Sequence, residues 1–81
     1  MWSEQNRAIE RKFQFASFSE AMNFMQRAVP FIEEMNHHPE WSNVYARVDV
    51  RLTTHDAGEV TDFDWALAQR LDALYAELTA S

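Results

Sequence analysis

The sequence predicts an α+β fold, an antiparallel sheet in a two-layer sandwich with helices packed on one face. Three observations lead there. Residues 8–15 and again 44–54 alternate between apolar and polar side chains, as half-buried strands do. Residues 18–35 and 61–78 carry apolar side chains at three- and four-residue steps, as amphipathic helices do. The order strand, helix, strands, helix fits a sheet covered on one side only.

The 81 residues read as one domain, 1–81, without linker, repeat or low-complexity segment. So short a chain buries a modest core, and the absence of cysteine removes disulfides as a staple. Trp2 is expected to close the core near the chain start. In the first strand Ile9, Arg11, Phe13 and Phe15 share one parity, and Glu10, Lys12 and Gln14 share the other. Ser17-Phe18-Ser19-Glu20 has the spacing of a capping box, so a helix should run from there to about Met35. Its expected core stripe is Phe18, Met22, Met25, Val29 and Ile32, with Phe24, Ala28, Phe31 and Met35 widening the apolar surface. Pro30 predicts a kink or local irregularity there rather than a helix end.

Pro39 blocks helical continuation. From Val44 to Thr54, Val48, Val50 and Leu52 fall on one face and Arg47, Asp49, Arg51 and Thr53 on the other. The same parity puts His55 with the polar set, on the sheet face away from the helices. The last helix should start near Thr61, where Thr61-Asp62-Phe63-Asp64 supplies a cap and early negative charge. Phe63, Leu67, Leu71, Leu74 and Leu78 form its expected stripe.

The formal charge of −6 argues against nucleic acid, whose phosphates need a basic footprint, and against an anionic membrane surface. No apolar run approaches the roughly 20 residues of a membrane span. Residues 1–5 show neither a basic nor an apolar signal segment. A soluble cytoplasmic protein is expected.

All three histidines fall in one stretch that runs Glu33-Glu34-Met35-Asn36-His37-His38-Pro39-Glu40-Trp41, passes Tyr45 and ends at Thr54-His55-Asp56. Imidazole gives or takes a proton near neutral pH, so the cluster suits proton transfer around a flat polar ligand. Three histidines also suit zinc, but adjacent His37 and His38 point apart too readily for a shared metal. His37 and His38 could equally complement the dipole at the end of the first helix. Trp41 and Tyr45 could stack on a flat ligand or pack against the sheet.

The ordered set Glu33, His37-His38-Pro39, Tyr45, His55 and Asp64 resembles the signature of the pterin-4a-carbinolamine dehydratase family. Phe13-Gln14-Phe15, Ala21-Met22-Asn23-Phe24-Met25, His37 through Tyr45 and Leu52 through Gly58 also look like family positions, so the similarity covers roughly residues 2–78. The resemblance implies an enzyme that dehydrates 4a-hydroxytetrahydrobiopterin to quinonoid dihydropterin, recycling the pterin of aromatic amino acid hydroxylases, with no metal and no organic cofactor. It implies His37, His38 and His55 as catalytic residues, with His37 and His55 as the proton-transfer pair. Asn36, Pro39, Thr54 and Asp56 join them as substrate contacts, and Glu33, Tyr45 and Asp64 support them from behind. The alternative is an interaction or assembly factor on the same fold, since the family includes members that act on protein partners.

Two departures stand out. Longer family members place a further helix before Trp2, and this sequence starts without it, so exposed surface or altered assembly is expected. Gly58-Glu59 stands where the family commonly has Gly-Gly, and a left-handed second position would cost glutamate about 1 kcal/mol. A homodimer or homotetramer is expected from the apolar surface of Phe24 and Phe31 and from strand edges that need cover.

Overall fold

The structure, a computed structural model, describes residues 2–80. Six elements follow in order: β1 (Ser3–Gln5), β2 (Ala8–Gln14), α1 (Phe18–Met35), β3 (Glu40–Val44), β4 (Arg47–Leu52) and α2 (Asp62–Thr79). The strands form one antiparallel sheet in the order β1-β2-β4-β3. The fold class is the expected α+β.

The central pair fixes the core. Ile9 lies opposite Leu52 and Phe13 opposite Val48. These side chains, with Val50, meet Phe24, Ala28 and Ile32 of α1 and Leu67 and Leu71 of α2, and all are essentially buried. Burying each large apolar side chain contributes about 1.5–3 kcal/mol. Arg11 shares the parity of Ile9 and Phe13 and so faces the helices too. Its Nη1 donates to Asp72 Oδ1 at 2.6 Å, and its guanidinium lies over the Phe13 and Tyr75 rings. Trp2 closes the same corner, its Nε1–H donating to Asp72 at 2.9 Å. The opposite face, with Glu10, Lys12, Asp49 and Arg51, carries no helix.

Several sequence expectations shift. A short strand, β1, precedes β2 across the turn Asn6-Arg7, where both residues have positive φ (51° and 63°). That is the backbone of a type I′ hairpin turn, with arginine where glycine usually signals it. The strand expected over Val44–Thr54 is split: Val44 ends β3, Tyr45-Ala46 turn, and β4 covers only Arg47–Leu52.

On α1 the buried side chains are Ala21, Phe24, Ala28 and Ile32, whereas Phe18 and Val29 are 47% and 48% exposed. The apolar surface of this helix is wide enough for two stripes, and the sheet takes the one containing Phe24. Phe24 is therefore core and cannot serve as an assembly surface; Phe31 is half-buried under Arg70. The helix runs unbroken through exposed Pro30. On α2, Phe63 is 61% exposed, and Asp64 takes the buried position beside it. Among the described residues, no helix is long and apolar enough to cross a membrane.

Candidate active site

The site is assembled from the end of α1, the start of β3, the loop after β4 and the start of α2. The end of α1 is set by Asn36, which adopts a left-handed conformation at φ 51°. Its N–H donates to Glu33 O at 3.1 Å, and the His37 N–H reaches Ile32 O at 3.4 Å. This pair of bonds is a Schellman ending, with asparagine where glycine is usual. It turns His37 and His38 out of the helix, and Pro39 then directs the chain into β3.

The loop after β4 is equally defined. Thr53 Oγ1 donates to Arg7 O at 2.8 Å, and the Thr54 N–H donates to Glu59 O at 3.2 Å. The N–H groups of Ala57 and Gly58 return to Thr54 O, which leaves His55 and Asp56 exposed at the tip. Gly58 takes the left-handed turn position at φ 67°, while Glu59 is not among the positive-φ residues. Glutamate thus sits where any residue fits, and the expected penalty at this position does not arise.

Each imidazole faces a carboxylate. His37, whose side chain is 14% exposed, holds Asp64 Oδ1 through Nε2 at 2.6 Å. Asp64 is wholly buried, and its Oδ2 accepts from the Thr54 hydroxyl at 2.8 Å and from the Thr61 N–H at 2.9 Å. The aspartate thus engages Nε2 of His37 with one oxygen and two donors with the other, which orients the ring and leaves Nδ1 for a ligand. The Thr61 contact is also half of the capping box that starts α2. His38 Nε2 meets Glu33 Oε1 at 2.8 Å on the exposed side of the helix end. His55 Nε2 lies 3.7 Å from Glu40 Oε2, and both side chains are open to solvent.

These groups border one cleft of about 360 Å³, lined by Asn36, His37, His38, Pro39, Glu40, Thr53, Thr54, His55 and Asp56. That volume lies in the range of small-ligand sites. A second concavity of about 730 Å³ occupies the helix-free sheet face. It is larger but contains none of the histidines, and its Arg51 pairs with Glu10 and Glu40. All three histidines line the smaller cleft. Among the described residues, no three His, Asp or Glu side chains are grouped so as to hold a metal ion.

Most expected site residues come together here, with four revisions. Tyr45 stands in the turn at the far end of β3, about 17 Å of strand from Glu40, and is 70% exposed. It supports nothing at the cleft. Thr54 lines the cleft but turns its hydroxyl inward to Asp64. His55 lies beyond the end of β4, so strand parity does not govern it. The cleft opens at the end of the sheet, and the neighbour of His55, Glu40, pairs with Arg51 on the helix-free face. Trp41 packs against the core. Sequence reasoning missed Glu40, although it follows His37-His38-Pro39 directly, and missed Phe63, whose ring stands 5.9 Å from that of His37.

The family model described as pterin 4 alpha carbinolamine dehydratase matches residues 1–74. A protein of Bordetella avium (strain 197N), provisionally named a pterin-4-alpha-carbinolamine dehydratase, is 50% identical over 74 residues, which are 91% of this chain and 68% of that one. One of Opitutus terrae with the same provisional name is 53% identical over 90% of this chain and 76% of its own. Among solved structures, a transcriptional coactivator/pterin dehydratase from Brucella melitensis superposes with a TM-score of 0.88 at 42% identity, covering 91% of this chain and 81% of that one. A pterin dehydratase-like RuBisCO assembly factor of the alpha-carboxysome shares the fold, with a TM-score of 0.76 at 21% identity over 93% and 87% of the two chains. The chain belongs to the pterin-4a-carbinolamine dehydratase family.

Proposed function

We propose that this protein dehydrates 4a-hydroxytetrahydrobiopterin or a closely related 4a-hydroxytetrahydropterin to the quinonoid dihydropterin. One observation carries the reading: three imidazoles from two separate loops open onto a single cleft sized for a bicyclic ligand, each backed by a carboxylate. In this reaction the C4a–O bond breaks and hydroxide is a poor leaving group. A general acid must protonate that oxygen so that water departs. The ring nitrogen next to C4a must lose its proton as the C=N bond forms, which calls for a base. His37 and His55 fill these two roles, and His38 binds or orients the pterin ring. The Asp64 bond fixes the His37 ring in one tautomer and one orientation. Asn36, Pro39 and Asp56 at the rim are substrate contacts in this reading.

The test supplies 4a-hydroxytetrahydropterin and follows water loss. The protein should accelerate it, and His37→Ala and His55→Ala should each lower the rate, His37→Ala by about 10²–10⁴-fold. Equal rates for all three proteins and for buffer would end the proposal.

A second reading, an interaction or assembly role, is favoured by the exposed Phe18 and Val29 on α1. The same residues and the sheet edges support a homodimer or homotetramer. Sedimentation at micromolar concentration checks this, and a monomer would remove it.

A further inference from the structure

We propose that Glu40 is a positioning residue for His55, and that Arg51 holds it in that task. The inference rests on the dehydratase reading above, and it concerns the histidine that the fold secures least. His37 is locked by a buried aspartate, and His38 is hydrogen-bonded to Glu33. His55 sits at the tip of a loop with its side chain 77% exposed, and Glu40 is the one carboxylate within 4.0 Å of its ring nitrogens among the described residues.

Glu40 is itself fixed. It pairs with Arg51 in the β3–β4 register, and Arg51 Nη1 donates to its Oε2 at 2.9 Å. Arg51 is steadied in turn by Glu10 at 3.7 Å and by Asn6 O at 3.3 Å. A row of charges on the helix-free face therefore runs from Glu10 on β2, through Arg51 on β4, to Glu40 on β3, and ends at His55. Glu40 is also the one residue that lines both the sheet-face concavity and the histidine cleft. A carboxylate anchored to the sheet at the cleft mouth limits where an otherwise mobile imidazole can point. The proton-transfer pair then faces one ligand from two sides, His37 from the helix end and His55 from the loop.

The experiment compares Glu40→Ala, Glu40→Gln and Arg51→Gln with wild type in turnover, and repeats Glu40→Ala in the His55→Ala background. An exposed pair can supply only a modest factor, so Glu40→Ala should lower kcat about three- to fivefold with KM changed less than about twofold. Glu40→Gln, which keeps an acceptor oxygen, and Arg51→Gln should fall between. In the His55→Ala background Glu40→Ala should have no further effect, because Glu40 acts through His55. A full effect in that background, or none in wild type, overturns the proposal. Side-chain coupling constants of His55 by NMR should report one χ1 rotamer in wild type and averaging in Glu40→Ala. That readout needs no turnover: an inactive wild-type protein would sink the dehydratase reading, while unchanged His55 couplings would sink the Glu40 assignment.

Discussion

Asp64 and Asp72 both project from α2, and both hold side chains from far along the chain. Asp64 gathers His37 and Thr54 and closes its own helix start through Thr61. Asp72, eight residues on, gathers Trp2 and Arg11. Both draw the sheet and the chain start or helix end onto α2, yet their partners differ in chemistry. Indole and guanidinium N–H groups only donate and keep their protons at working pH, so the Asp72 corner can do no more than hold the fold. Imidazole can hold the fold and still pass a proton through its other nitrogen. Burial differs as well: Asp64 is closed from water, while the Asp72 side chain is 39% exposed. The same device, a helical carboxylate reaching for a distant donor, builds a site at one place and a staple at the other.

The largest effect is expected from Asp64→Ala. It leaves the His37 ring, the Thr54 hydroxyl and the Thr61 N–H without their shared acceptor. The expected loss is about 3–5 kcal/mol, a large part of the stability of a small domain, and Tm should fall by on the order of 15 °C. Thermal unfolding followed by circular dichroism measures it. Asp64→Asn separates holding from orienting. The amide keeps the volume, but its NH₂ must face either His37 or the threonines, so turnover should fall by about 10²-fold while the fold persists. Full turnover in a folded Asp64→Asn protein would show that His37 needs no carboxylate behind it.

Asp72→Ala is the counterpart. It should cost about 1–2 kcal/mol, seen as a Tm lower by several degrees, with turnover per folded molecule unchanged. A large loss of turnover in a folded protein would erase the distinction between the two corners. The smallest effects belong to the His55 loop. Gly58→Ala meets no neighbour within 4 Å but is strained by its left-handed φ, and should cost about 1 kcal/mol. Glu59→Gly should change stability by less, because its backbone is ordinary.

The two corners were unequally legible in the sequence. The histidine end shows plainly, because His37, His38 and His55 are rare side chains in one stretch, and Thr61 and Asp64 carry helix-start chemistry. Trp2 could be assigned to the core, but its bond to Asp72 could not, since nothing local links residues so far apart. The strand β1 was hidden because its turn uses Asn6-Arg7 without glycine, and the β3–β4 turn because Tyr45 takes a left-handed φ that its type does not advertise. Spacing finds α1 and its core residue Ile32 with Met25 beside it, but it also puts Phe18 and Val29 in the stripe, and these stay exposed. Periodicity gives the helix, while the choice between two adjacent apolar rows is made by the sheet it lands on. In the sequence Glu40 is one acid among many, because its meaning comes from strand register with Arg51.

The left-handed Asn36 has a consequence for the order of folding. The end of α1 is closed by bonds over three and five residues, so His37 can be aimed early and locally. Its acceptor lies 27 residues downstream, beyond the whole β3–β4 hairpin. Closing that loop costs entropy that only the finished sheet repays. Competence to move protons should therefore emerge last during refolding, after helical signal has returned, and the appearance of turnover would time the docking of α2.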